Sequence, residues 1–562
     1  MNGPAPFAPP AGKDWHLFVP KFVSALREGY GLGDLRADVF AGLTVAVVAL
    51  PLSMALAIAS GVTPERGLFT AVVAGLLIAL LGGSRHQIGG PTGAFVVVVF
   101  NVVQKFGYDG LVIATIMAGI MLIVAGFLRL GTYIKYVPYP VVTGFTSGIA
   151  VIIFSSQVGD IFGLTLVHVP GDVLGKWQAY LSGAGTFNWA ALAIAVSSLA
   201  IIIGLRRYAP RAPQFLIAIA VASLAALLLH LHVETIGTKF GGIPNMLPAP
   251  HWPAFNLREL QALLPSAFTI FVLGGIESLL SAVVADGMTG RRHRSNLELV
   301  AQGIANIASA CMGGIPATGA IARTATNIRA GAKTPVAAMV HSLSILAMMA
   351  LFASYAAYIP LAALGAVLVI VCWNMAEIGA FKNILSGPIG DRAVLIATFG
   401  LTIFVDLSFA IGTGMVMAAF LFMHRMAKAV EAETHISFVE DVDEFVSPNH
   451  EVVKRETLPH GVESFRLNGP FFFGAAAHFE QVLARAGGSP KAIILEMEGV
   501  PLIDSTGAAI LSKFLESTYA RGIRVILAGT RVGPAAVLDA MNIRAERAAN
   551  FAHAVTMIKS PR

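Results

Sequence analysis

Charge is scarce in this chain. Only 12% of its 562 residues are Asp, Glu, Lys or Arg, about half the share of a typical soluble protein, while 56% are hydrophobic. The charges gather at the two ends and in short loops, leaving apolar runs of about 20 residues, the length that crosses a bilayer. A soluble globular fold is thereby excluded for most of the chain. Cysteine is nearly absent, and Cys311 and Cys372 both lie in apolar segments, so no disulfide framework is implied. Metal-ligand clusters, phosphate-binding loops and nucleophile triads are also missing, so neither an enzyme nor a cofactor is expected. Residues 1–37 carry Pro, Asp and Glu without an apolar core, and no secretory signal is expected there. The net charge of +6 calls for no nucleic-acid partner, because loops on one membrane side account for it.

What is present is a polytopic pattern. Apolar segments fall at roughly 38–59, 67–82, 93–104, 110–128, 139–156, 188–205, 213–231, 263–285, 297–312, 320–329, 335–353, 359–373, 392–406 and 409–424. The third and tenth are too short to cross as helices. A helix from Ala94 to Lys105 covers about 18 Å of a ~30 Å hydrocarbon core, so extended chain must complete the crossing. With fourteen crossings and the N-terminus inside, nineteen Lys and Arg fall on inner segments, among them Arg85, Arg291 and Arg294. Five fall outside: Arg66, Lys105, Lys176, Lys239 and Arg258. That bias supports the even segment count and an inner-membrane orientation with both ends cytoplasmic.

The segments repeat. Gly61 ends the first span and Gly287 the eighth, and Thr92-Gly-Ala94 and Thr318-Gly-Ala320 each follow 31 residues later. The halves, about 38–231 and 263–428, hold seven segments each. An odd number forces opposite orientation, the inverted-repeat plan of secondary transporters.

The stretch Gly313-Gly-Ile-Pro-Ala-Thr-Gly-Ala-Ile-Ala-Arg-Thr324 interrupts an apolar region with glycine, proline and small polar residues, and Gly89-Gly-Pro-Thr-Gly-Ala-Phe95 has nearly the same text. Each is expected to run extended and then start a helix near the bilayer midplane, so that two helix N-termini face one another. Their free N–H groups and partial positive charge suit an anion between them; glycine kinks that merely let helices pack closely are the plainer alternative. The candidate anion-binding residues are Thr92, Gly93, Ala94 and Phe95 with Gly319, Ala320, Ile321, Ala322 and Arg323. Arg323 either adds positive potential beside the anion or pairs with a carboxylate. Pro51 frees a carbonyl in the first segment, which makes Ser53 and Leu56 candidate wall residues. Glu277 is a lone carboxylate within a span, and intramembrane acids mark ion or proton paths. It takes and releases a proton, or it joins Ser281 and backbone carbonyls near Gly319 in holding a sodium ion. Asp286 reads as solvated or capping, and His86 and Gln87 as loop residues.

Beyond the spans the character changes. Residues 429–460 form an acidic linker. Val462–Leu467, Lys491–Glu496 and Ile523–Leu527 pattern as strands, with helices expected over Ala475–Ala486 and Thr506–Ala520. In this small α/β domain Asp504 and Ser505 open a helix, as an N-cap or as a regulatory contact.

These motifs carry a family resemblance. Val48-Ala-Leu-Pro-Leu-Ser-Met-Ala55, Gly89-Gly-Pro-Thr-Gly-Ala94, Ile276-Glu-Ser-Leu-Leu-Ser281, Ala285-Asp-Gly287 and Arg323-Thr324 resemble the sulfate permease (SulP) anion transporters. Asp504-Ser-Thr-Gly507 resembles the signature of STAS domains, here residues 461–562. The resemblance implies a 7+7 inverted-repeat transport domain over 38–428, with a core (segments 1–4 and 8–11) moving against a gate like an elevator. It also implies homodimers in which STAS domains contribute contact and regulation. Sodium-binding relatives have aspartate where this chain has Glu277, and some animal members have serine where it has Ala322. The function expected is secondary transport of a small oxyanion (sulfate, bicarbonate or a C4-dicarboxylate) with a proton. A sodium-coupled bicarbonate symporter and an anion channel are the alternatives.

Overall fold

The computed structural model describes residues 17–134, 137–166, 169–210, 212–254, 257–433, 458–459, 461–471 and 490–559. Most of the acidic linker and the helix expected over Ala475–Ala486 lie outside the described residues. The chain divides into two compact units, Met1–Ala418 and Ala419–Arg562.

The first unit is helical. A short α1 (Lys21–Arg27) leads into α2 (Leu32–Ala59), α3 (Pro64–Leu81), the two-residue strand β1 (Gly89–Gly90) and α4 (Val96–Phe127). Then come α5 (Gly131–Ile134), α6 (Tyr139–Phe162), α7 (Val173–Ser182), α8 (Trp189–Tyr208), α9 (Gln214–Leu228) and α10 (Ile236–Phe240). The second half runs α11 (Leu257–Thr289), α12 (Ser295–Cys311), β2 (Thr318–Gly319), α13 (Ile321–Arg329) and α14 (Val336–Ala356). It closes with α15 (Leu361–Met375), α16 (Ile378–Leu385), α17 (Ile389–Phe404) and α18 (Leu407–Glu433). Among the described residues, nine helices are long and apolar enough to cross a membrane. The third and fourth apolar segments merge into α4, with Gly107 at φ 70° breaking the helix between them. The tenth is the nine-residue α13.

Packing follows the internal repeat. α2 lies on α14 as α11 lies on α4; α3 on α14 as α12 on α4; α6 on α17 as α15 on α8. Shifting each partner by seven segments converts one contact into the other. Small residues allow the closest crossings: a Cβ on Gly119 of α4 would meet the Gly303 carbonyl of α12 at 2.7 Å, the close-approach packing that glycine permits in membranes.

The second unit contains a parallel four-stranded sheet in the order β3 (Val462–Asn468), β4 (Ala492–Gly499), β5 (Arg524–Ala528), β6 (Glu546–Ala548). Buried runs such as Ile493–Leu495 and Val525–Leu527 are what strands covered on both faces require. α19 (Ser505–Ala520) packs Ala508, Leu511 and Leu515 into that core.

Candidate anion-binding site

The two broken stretches meet. β1 and β2 pair antiparallel, with Gly89 opposite Gly319 and Gly90 opposite Thr318, and the Ala320 N–H donates to the Ile88 carbonyl at 2.8 Å. Extended backbone at membrane depth is tolerated only where protein groups satisfy it, and here side chains from flanking helices do so. Thr70 Oγ1 accepts from the Ile315 N–H at 2.7 Å. Asn306 accepts from the Ala317 N–H at 2.8 Å and donates to the Ala317 carbonyl at 2.9 Å. Ser278 Oγ accepts from the Gly319 N–H at 3.1 Å and shares a 2.6 Å hydrogen bond with Thr318 Oγ1. On the other strand, Thr324 Oγ1 accepts from the Ile88 N–H at 3.0 Å, and Asn327 donates to the His86 carbonyl at 2.9 Å.

Each strand feeds a helix. β1 continues through a 3₁₀ turn at Gly93–Phe95 into α4, and β2 continues into α13. Because the strands are antiparallel, the helices leave in opposite directions with their N-termini at the pair. The first intrahelical bonds are Phe95 N–H to Thr92 O (3.3 Å) and Thr324 N–H to Ala320 O (2.9 Å). The N–H groups of Gly93, Ala94, Ile321, Ala322 and Arg323 therefore have no intrahelical acceptor. Those of Gly319 and Ala320, counted among the anion donors from sequence, are spent on Ser278 and Ile88. The N–H groups without an intrahelical acceptor are those at the two helix starts.

Arg323 joins the two halves. Its side chain is 4% exposed, and Nη2 donates to the Pro91 carbonyl at 2.5 Å, while Nε and Nη1 have no partner. Among the described residues no carboxylate pairs with it. Gly90 makes room for it: φ is 154° there, and a Cβ would stand 2.6 Å from Nη1.

Glu277 lies half-buried on α11, one turn beyond Gly274, whose carbonyl accepts from Thr318 Oγ1 at 3.1 Å. A Cβ on Gly274 would lie 3.5 Å from the Phe95 ring, so the turn carrying Glu277 abuts both strands' exits. The Ser281 hydroxyl donates to Thr324 Oγ1 at 3.1 Å, which leaves its oxygen lone pairs free. Ser53 and Leu56 are buried on α2, and the hydroxyls of Ser53 and Thr92 have no partner. Ala94, Phe95 and Ala320 are buried, Ile321 is half-buried, and Ala322 is exposed. In the second unit Asp504 caps α19, accepting from the Gly507 N–H at 2.6 Å, and Ser505 is exposed.

Several polar residues that hold the site were not singled out from sequence. Glu298, Gln302 and Asn306 recur every fourth residue of α12, all buried, and Gln302 donates to Glu298 at 2.9 Å. Such a polar stripe inside an apolar segment is a legible signal. Gln87, read as a loop residue, is 3% exposed, lies against Gly319, and has no partner for either amide atom.

The chain matches the sulfate permease family over residues 35–398 and a STAS domain over 457–550. It belongs to the sulfate permease family. YvdB of Bacillus subtilis, provisionally named a sulfate transporter, is 40% identical, with 91% of this chain and 94% of that protein aligned. The bicarbonate transporter BicA of Picosynechococcus is 31% identical over 88% of this chain and 89% of its own. The solved transmembrane domain of a cyanobacterial BicA superposes with a TM-score of 0.62 at 31% identity, covering 68% of this chain and 98% of that one. Murine Slc26a9 shares the fold, with a TM-score of 0.83 at 19% identity over 99% and 97% of the two chains.

Proposed function

We propose that this sulfate permease family member is a secondary active transporter of a small oxyanion, held between the starts of α4 and α13. The observation that carries the proposal is the β1–β2 pairing, which sets two helix N-termini and the unpartnered Arg323 nitrogens around one place. Unpaired N–H groups and a buried guanidinium are costly in a membrane unless an anion meets them. Sulfate and bicarbonate are the first candidates, since relatives bear those names, with a C4-dicarboxylate as the third.

Glu277 is the proposed proton carrier. Sodium-binding members of the family this chain resembles have aspartate at the place of Glu277, and the glutamate here supports proton over sodium coupling; Ser281 donates to Thr324 and keeps its oxygen lone pairs, so it does not bear on that choice. An anion channel gains nothing from a carboxylate beside its site. Transport by an elevator movement of a core against a gate, in a plasma-membrane homodimer with cytoplasmic N-terminus and STAS domain, completes the proposal. Asp504 and Ser505 are its regulatory contact.

The test is uptake into proteoliposomes of labelled sulfate, bicarbonate and fumarate side by side, with pH and sodium gradients imposed separately. Accumulation of one oxyanion driven by a pH gradient alone is the expected result. Sodium-driven accumulation, or downhill flux without accumulation under any gradient, refutes proton-coupled transport.

A further inference from the structure

A buried cation stands well away from the strands. Lys176, on α7, is 3% exposed, and among the described residues no hydrogen bond or ion pair engages its ammonium. The group sits over the Phe100 ring, 4.8 Å from its centroid, a cation–π contact. Asp172 acts on it electrostatically, but one carboxylate oxygen of Asp172 already accepts from the Gly175 N–H at 2.7 Å, capping α7. Burial pushes the lysine below its usual range and Asp172 pulls it back. A lysine this buried without a bonded carboxylate is expensive, and packing alone would be served better by methionine.

Its surroundings suggest a use. Lys176 lines a pocket with Ala59 of α2, Asn101 of α4, Ser156 of α6 and Gly171. A Cβ on Gly171 would lie 3.7 Å from Asn101 Oδ1, so the Asn101 amide borders this loop. The pocket is closed to about 10 Å³, the room of a single water, so an anion reaches the ammonium only when the seam widens. Trp177, next in sequence, donates to Ser155 of α6 at 3.3 Å and pins α7 onto that helix. Along α4, Asn101 follows Gly93 by eight residues, about 12 Å at the helical rise. The pocket is thus the next polar place along the helix whose N-terminus faces the anion, in a connection that the Lys and Arg distribution puts on the outer side.

We propose that Lys176 is a second oxyanion-binding residue, a cation that a small oxyanion meets between the outer solution and the site at α4 and α13, with Asn101 and Ser156 as its neutral neighbours. The assignment rests on that site carrying an oxyanion. Losing a charged hydrogen bond to the anion at that outer stop weakens its binding there by about tenfold or more.

The experiment is bicarbonate and sulfate uptake by purified full-length protein in proteoliposomes of defined orientation, comparing wild type, Lys176→Gln and Lys176→Arg. In Lys176→Gln the half-saturating bicarbonate concentration at the outer face should rise about tenfold, with the cytoplasmic-face value and the saturated rate unchanged; Lys176→Arg should restore it. If Lys176→Gln does not fold, Lys176→Met replaces it, since methionine fills the space of the lysine stem. Wild-type transport with an unchanged outer-face value in the neutral variant overturns this assignment alone. An equal change at both faces also overturns it, because that marks a global effect. A wild-type protein that moves neither anion overturns the transport reading and this assignment with it.

Discussion

Gly90→Ala tests whether Arg323 belongs to the anion site. Gly90 adopts φ 154°, a region that costs a residue with a side chain about 1–3 kcal/mol. The new Cβ would stand 2.6 Å from Arg323 Nη1, so the guanidinium must withdraw by about 1 Å to reach ordinary contact. That movement breaks its hydrogen bond to the Pro91 carbonyl, a charged donor worth about 1.5–3 kcal/mol. If the guanidinium contacts the anion, its withdrawal weakens a charge-assisted hydrogen bond of that size and raises the half-saturating anion concentration by between about tenfold and a hundredfold. Gly89→Ala is the control. It sits on the same strand, and its Cβ would strike Ile78 rather than the arginine, so it overpacks the core by about 1–3 kcal/mol. Both variants should lower the thermal midpoint in detergent, and only Gly90→Ala should raise the half-saturating concentration in proteoliposome uptake. Equal values in the two variants would refute a role for Arg323 in holding the anion.

Glu277→Gln removes the proposed proton carrier at almost constant volume. Uptake driven by a pH gradient should vanish while counterflow of the anion persists, and undiminished pH-driven uptake would end the proton-coupling argument. Ala322→Trp places bulk on the exposed first turn of α13. It should cut transport at least tenfold with an unchanged thermal midpoint, and normal transport would put the anion elsewhere. Asp504→Ala deletes the cap of α19, a loss of about 1 kcal/mol, visible as faster hydrogen exchange at the start of that helix. Asp504→Asn keeps the cap and should leave exchange unchanged, so any transport defect in Asp504→Asn reports a regulatory contact instead.

Much of the membrane unit was legible because a bilayer leaves the chain few choices. A cluster of glycine and proline that interrupts an apolar run favours extended backbone, which survives there only where protein protects it, so Gly89–Phe95 and Gly313–Thr324 announced themselves, and their equal spacing in inverted halves implied that they meet. The protectors were not announced. Thr70 reaches Ile315 across 245 residues and Ser278 reaches Gly319 across 41, and a serine or threonine in an apolar helix looks alike whether it bonds its own preceding turn or a strand from elsewhere. In the second unit the long apolar runs of β4 and β5 were readable, whereas the three residues of β6 hold a glutamate and an arginine and show no periodicity.

The protectors also decide where the anion can sit. A backbone donor at a broken helix has two competing uses, to hold the break in place or to hold the ligand. Gly319 and Ala320 are committed to the first, through Ser278 and Ile88. The donors left over lie at Gly93 and Ala94 on one side and Ile321 to Arg323 on the other, on helices that leave in opposite directions. A ligand engaging both sets must span the ends of two helices anchored to the same strand pair, so their separation is fixed by the β1–β2 hydrogen bonds and not by the ligand. In the proposed transporter, selectivity then resides in that fixed gap and in Arg323, which reaches across it to Pro91. Substitutions at Ser278 or Asn306, which touch no anion, should therefore change which anion is preferred as well as how tightly it binds.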